Sequence, residues 1–444
     1  MANTKKTLQL IRDFESRNVT FLEADGSWPI VWARAQGVHV WDADEEKYLD
    51  LTAAFGVAAA GHANQAVVRA GQKQMATLLH AMGDVHPHAL KAELACKLSE
   101  ITFERWSKAL PKKAAASLPQ PKIHAKTIFS NSGFEAVESA LKTAMLATKK
   151  PGVITFAGAY HGLGYGVLNA THRDFFHQPF HSQLRRFGHS VSFPGKPADL
   201  AAIETQIKKL FRREKIGAIL VEPIQARGGT NIPPRQFLPL LRKLCDQHGA
   251  LLILDEIYTG FGRTGKWFAC EHSRTMPDLL CLGKALTGGF PLSACVGRAD
   301  VMDAAWPVST GEAIHTSTFL GHPVGCAMAL AQIAEIKKLK LCERSARLGD
   351  VLLSQLSAIK KLKLKIKTSS RGCGLMAAVE LNLPDGKPAT QIALDAIKTL
   401  LHQGYIFLPE GEHGNIISFT PPLTISRTQI TQAVAALKHC LGAD

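Results

Sequence analysis

Apolar and polar positions follow two rhythms along this chain. Short aliphatic runs at 127–129, 153–156, 218–221 and 251–254 are separated by stretches in which apolar residues recur every three or four positions. The clearest such stretch is 135–147, where Ala136, Val137, Ala140, Leu141, Ala144 and Met145 share one stripe and predict an amphipathic helix. Wholly apolar strands alternating with helices predict an α/β fold, its mostly parallel sheet covered by helices on both faces. Ahead of this region, strand-like runs at 30–32 and 38–41, punctuated by Gly26, Pro29 and Gly37, form a β-rich lead-in. Behind it, helical patterns at 324–341 and 345–359 precede a strand at 375–381 and a helix at 388–403 that ends at Gly404. A strand at 405–408 and a helix at about 427–441 complete a mixed order that predicts a smaller α+β domain. The expected division is therefore an N-terminal segment, 1–60, packing with the small domain, a large α/β domain, 61–330, and the small domain, 331–444. The hexapeptide IKKLKL occurs at 336 and again at 359, but its flanks differ and no longer period accompanies it.

The length of 444 residues leaves room for two or three such units at roughly 150 residues each. With 46% apolar and 20% charged residues, the composition excludes disordered, collagenous and disulfide-scaffold classes. No apolar run reaches the roughly 18 residues of a membrane span, and MANTKKTLQLIRDF lacks the apolar core of a secretory signal, so no membrane partner is expected. Nine cysteines are scattered and never spaced as CxxC, which argues for reduced thiols in the cytoplasm and against a metal site. The net charge of +15 suits anionic partners in general. Residues 336–367 carry a net +8 and residues 105–126 a net +6, however, so the excess sits in two lysine-rich stretches outside every motif described below. Nucleic acid is accordingly not an expected partner.

One candidate chemistry fails on its spacing. GFGRTGK at 260–266, after LLILDE at 251–256, approaches both a P-loop and a dinucleotide fingerprint. A P-loop needs a hydroxyl after its lysine, and Trp267 stands there. A dinucleotide fold needs its glycines directly after the strand, and DEIYT intervenes. A P-loop hydrolase remains a remote alternative.

A second chemistry uses the same residues better. Asp255 ends an apolar strand, and Lys284 follows in CLGKALTGG, bracketed by Gly283 and Gly288-Gly289. A lysine that forms a Schiff base needs a lowered pKa and a tight loop, and a carboxylate facing a pyridinium nitrogen keeps an electron-accepting ring protonated. Asn131-Ser132-Gly133 precede the helix at 135–147, where free N–H groups and a hydroxyl can cradle phosphate. Taken singly, Lys284 reads as a surface lysine, Ser132 and Gly133 as a helix cap, Tyr160 as core, and Asp255 as half of an ion pair. Arg263 reads as structural, and Cys270, Cys281 and Cys295 as small buried hydrophobes.

Together these residues resemble the class III aminotransferases, pyridoxal-phosphate enzymes of fold type I. The matching segments are NSGFEAVESALK at 131–142, AYHG at 159–162, VEPIQ at 221–225, LLILDEIYTGFGRTG at 251–265, PDLLCLGKALTGGFPLSACVG at 277–297 and HTSTFLGHPVGCAMAL at 315–330. WDADEEKYLDL at 41–51, GHANQAVV at 61–68 and RGCGLMAAVEL at 371–381 match more weakly. The resemblance implies that the 61–330 unit binds pyridoxal 5'-phosphate, with Lys284 forming the Schiff base and moving the proton. It implies that Asp255 pairs with the pyridinium nitrogen, that Ile257 packs on one ring face, and that Tyr160 stacks on the other beside His161. Ser132 and Gly133 would hold the phosphate, with Phe134 next to them, and Thr318 would reach it from the partner subunit of a homodimer with shared sites. Gln225 would approach the phenolic oxygen, and Glu222 matches an active-site acid. The implied activity is ping-pong transfer of an amino group from an ω-amino acid, diamine or related primary amine to a keto acid. An aminomutase of the same fold is the alternative.

The chain departs from the family where substrate carboxylates are usually bound. EPxQxEGG becomes EPIQARGG, with Arg227 at the usual acid, and RFxPPL becomes SFTPPL, with Ser418 at the usual arginine. Leu163 stands where a further arginine often follows AYHG, and Phe134 stands where small residues are usual. Phe134 either narrows the phosphate end or packs beneath the loop. Arg227 either binds the substrate carboxylate from the opposite wall or is a structural or surface residue. The first reading is preferred, because losing acid and arginine together leaves no buried charge unpaired.

Overall fold

The computed structural model describes residues 2–23, 27–108, 124–185, 187–362 and 364–442. Seven strands build the large sheet: β1 (Ala125–Ser130), β2 (Gly152–Phe156), β3 (Gly188–Val191), β4 (Ile216–Val221), β5 (Leu251–Asp255), β6 (Leu279–Leu282) and β7 (Ser293–Arg298). Their order across the sheet is β1-β7-β6-β5-β4-β2-β3. β7 is antiparallel to both neighbours and the remaining pairs are parallel, so β1 to β6 all run the same way. The fully apolar runs explain the burial. Ala218, Leu220 and Ile253 face a cluster with Ala136, Val137 and Ala140 of the helix Gly133–Thr148. Their strand neighbours Ile219, Val221, Leu252 and Leu254 face the opposite cluster, with Phe237 and Leu241 of the helix Phe237–His248. Successive side chains thus feed two helical layers, as a two-sided sheet requires.

A four-stranded antiparallel sheet forms late in the chain from Lys367–Cys373, Met376–Asn382, Ile416–Phe419 and Leu408–Glu410. Three helices accompany it: Leu341–Ser357, Thr390–His402 and Arg427–Cys440. The early strands Trp32–Gln36, His39–Asp42 and Lys47–Asp50 form a third sheet, completed by Tyr405–Ile406 running parallel to Lys47–Asp50. The strand expected at 405–408 is therefore two strands in different sheets, and buried Phe407 marks the crossing between them. Lys337, Lys338, Lys340, Arg347 and Lys360 are exposed, as a solvated basic face requires. Most of the other basic stretch, 109–123, lies outside the described residues.

After β5 the chain runs through turns to a short 3₁₀ segment, Ala269–His272, and no helix opens at the glycines of 260–265. Glu256 is buried and accepts bonds from Ala269 N (2.6 Å), Cys270 N (2.8 Å) and Thr259 Oγ1 (2.8 Å). It staples this loop and is not available to a magnesium ion. Buried Arg263 donates to Leu375 O and Pro421 O, the structural role expected of it.

Candidate active site

Because β1 to β6 share one direction, the carboxyl ends of β1, β2, β4, β5 and β6 fall on one edge of the sheet, where open α/β sheets bind ligands. Beyond those ends lie Ser132 to Phe134, Tyr160 and His161, Glu222, Asp255 and Ile257, and Lys284 respectively. A cavity of about 500 Å³ opens there, lined among others by Gly133, Phe134, Tyr160, His161, Glu222, Arg227, Asp255, Ile257 and Lys284.

Asp255 is 5% exposed; its Oδ2 lies 2.7 Å from Nδ1 of fully buried His161, and its Oδ1 accepts from Ile257 N at 3.1 Å. His161 Nε2 makes no hydrogen bond among the described residues. Glu222 accepts from Tyr160 N and Ala226 N, each at 3.0 Å. Burial pushes its carboxyl up to about 7, with nearby Asp255 adding to the rise and His161 opposing it. Lys284 stands at φ +41°, a left-handed conformation that costs about 1 kcal/mol or more in a non-glycine residue. Its Nζ lies 4.8 Å from the centre of the Tyr258 ring. Burial lowers the Lys284 pKa, against the opposing pull of Asp255, Glu222 and Glu410.

The helix Gly133–Thr148 begins at the cavity wall. Glu135 Oε2 accepts from Asn131 N, Ser132 N and Ser132 Oγ, fixing the approach to the helix. The first N–H groups of the helix have no intrahelical acceptor and carry the positive end of its dipole. A side chain at Gly133 would place a Cβ 3.0 Å from Ile257 Cδ1, so glycine allows the helix start to approach the β5 loop.

Three expected residues lie outside the cavity lining. Ser132 is outside the cavity lining, its hydroxyl turned to Glu135. Gln225 is buried behind the wall, where its amide donates to Ala157 O at 2.7 Å and accepts from Asn231 Nδ2 at 3.0 Å. Thr318 is exposed and does not line the cavity of its own chain. Phe134 does line it, and its side chain packs against Gly162 and Gly164.

The structure also adds residues to the site. Tyr258, only three positions past Asp255, lines the cavity, and its hydroxyl lies 3.1 Å from Thr420 Oγ1. Phe55 lines it from a run of left-handed residues, Ala53 to Gly56. Arg227 is a cavity residue, with its guanidinium 5.6 Å from the Tyr160 ring centre. Facing it is Glu410, 4% exposed, whose Oε2 lies 3.8 Å from Arg227 Nε. Arg227 thus faces an acid that the sequence reading did not name, supplied by a different strand from the one that carries Ser418.

Comparison with known proteins agrees with this geometry. The family model described as aminotransferase class-III matches residues 22–441. The chain belongs to the class III aminotransferases. It is 34% identical over 423 residues to a 5-aminovalerate aminotransferase of Pseudomonas aeruginosa, covering 93% of each chain. It is 35% identical over 423 residues to a putrescine aminotransferase of Pectobacterium atrosepticum, covering 94% of this chain and 83% of that one. An amine transaminase from an uncultivated Pseudomonas species, solved in its PLP-bound form, superimposes with a TM-score of 0.84 at 28% identity, covering 96% and 98% of the two chains. This aminotransferase is thus a pyridoxal-phosphate enzyme of fold type I. Its cavity fits the group: an amine at Lys284, a buried carboxylate at Asp255, and a helix start suited to a phosphate. When bound, the cofactor supplies an electron-accepting ring that stabilises negative charge at the carbon bearing the substrate nitrogen.

Proposed function

We propose that this aminotransferase draws its amino group from an ω-amino acid, a diamine or a related primary amine and passes it to a keto acid in two half-reactions. The observation that carries this reading is Lys284, whose amine is presented into the cavity from a strained backbone position and has its pKa lowered by burial. A lysine held this way is closer to the neutral, nucleophilic form at working pH. In this reading Lys284 holds the cofactor and carries the proton between substrate and ring. Asp255, oriented by His161, faces the ring nitrogen, and Ile257 and Tyr160 flank the two ring faces. Gly133 and Phe134 present their N–H groups to the phosphate, with Ser132 fixing the loop and Thr318 reaching in from the partner subunit of a homodimer. Glu222 and Gln225 hold the wall behind the ring. The pairing of Lys47–Asp50 with Tyr405–Ile406 supports packing of segment 1–60 with a small domain at 331–444, the site belonging to 61–330. Six buried cysteines among nine free thiols suit a cytoplasmic enzyme.

The two relatives are named for 5-aminovalerate and putrescine, both of which end in a primary amine. A panel of terminal amines and keto acids, followed through the change in cofactor absorbance, tests the assignment; amine donation that needs no acceptor to complete turnover would instead mark a mutase. Arg227 stands in the cavity wall as the guanidinium for an acceptor's carboxylate. Arg227→Ala is expected to raise KM for a dicarboxylic keto acid by about tenfold, the scale of a charge-assisted hydrogen bond, while the cofactor absorbance stays intact. An unchanged KM would remove Arg227 from acceptor binding.

A further inference from the structure

The chemistry above gives no task to the carboxylate behind Arg227. Glu410 ends the short strand Leu408–Glu410, with its neighbour Gly411 donating to Arg227 O at 3.1 Å. Arg173 Nη2 donates to the same carbonyl at 3.1 Å, so the backbone of Arg227 is clamped. Its side chain is not. The side chain is 36% exposed, makes no hydrogen bond among the described residues, and approaches Glu410 no nearer than 3.8 Å. Glu410 Oε2 is buried and accepts no hydrogen bond among the described residues. A buried carboxylate left in this state is costly, and it favours any cation that can bring donors to it.

We propose that Glu410 sets donor specificity by receiving the second, unreacting ammonium of a diamine, with Arg227 swinging toward the cavity to admit it. The proposal rests on the aminotransferase reading and narrows its donor class. An ammonium carries three donors and meets the unfilled valence of Glu410 Oε2, while the displaced guanidinium remains over the Tyr160 ring, where a later acceptor's carboxylate can meet it. Burial pushes the Glu410 carboxyl up to about 7, with Glu222 adding to the rise and Arg227, Arg173 and Lys284 opposing it. An arriving cation favours the ionised form of such a group. The fixed backbone and free side chain of Arg227 let one cavity serve a cationic donor in one half-reaction and an anionic acceptor in the next.

The test uses the holoenzyme with 1,4-diaminobutane and n-butylamine, which share a reacting end and differ in the distal ammonium. Wild-type protein is expected to prefer the diamine in kcat/KM. Glu410→Gln, nearly isosteric, is expected to lower the diamine-to-monoamine ratio by at least about tenfold, the scale of one hydrogen bond to a charged group. Glu410→Asp is expected to restore part of that ratio. An equal ratio in wild type and Glu410→Gln, or no wild-type preference for the diamine, overturns the proposal. Cofactor absorbance and wild-type donation from n-butylamine report separately on the aminotransferase reading, so the two can fail independently.

Discussion

Lys284→Ala is expected to remove the absorbance that marks a lysine-linked cofactor and to lower amine transfer by at least about 10³-fold, since the side chain serves as both nucleophile and general base. The prediction rests on three features of one residue. Lys284 lies two positions past the end of β6, its backbone is held at φ +41°, and its amine faces the Tyr258 ring inside the cavity. Alanine carries the same left-handed strain as lysine, so the substitution adds no backbone cost and the fold should persist. Lys284→Arg separates chemistry from charge. It keeps a cation beside Asp255, Glu222 and Glu410 but has no neutral amine at any working pH, so it should be as inactive as the alanine variant. Activity in either variant above about a tenth of wild type would assign the covalent step to another group.

Much of this site could be read from the sequence because its residues follow strands whose apolar runs are unmistakable. Asp255, Glu222 and Lys284 each lie within two positions of the end of a buried strand, and parallel strands bring such ends to one edge. Glu410 had no such signal. Its strand is three residues long, in a segment of Pro, Glu, Gly and His, and its partner Arg227 lies on a distant loop. Only the pairing of Leu408–Glu410 with Ile416–Phe419, which sets Leu408 opposite Ser418, brings that acid to the guanidinium. The strand Lys367–Cys373 was equally silent: KTSSRGC has no apolar alternation, because it is an edge strand. Gln225 was legible only in part. Sequence assigns its type and neighbourhood, but the competing bonds to Ala157 and Asn231 depend on how the loop closes.

Asp255→Asn is expected to slow both half-reactions by about 10²–10³-fold, the scale of removing one preorganised electrostatic contact from an active site. The rival reading is that Asp255 and His161 form a structural ion pair, and the geometry alone admits both: the two side chains are buried and 2.7 Å apart. The readings separate when stability and rate are measured on the same variants. Asparagine matches the shape of aspartate, can still accept from Ile257 N, and can pair with either tautomer of the imidazole. If the carboxylate acts on the ring nitrogen, Asp255→Asn loses rate while its Tm stays near that of wild type. If the pair is structural, removing its charge lowers Tm, and His161→Asn lowers it equally without a comparable loss of rate. His161 Nε2, buried without a hydrogen-bond partner among the described residues, makes the first outcome the expected one. The cost of that unsatisfied atom offsets what the pair can add to stability, whereas orienting Asp255 needs only Nδ1.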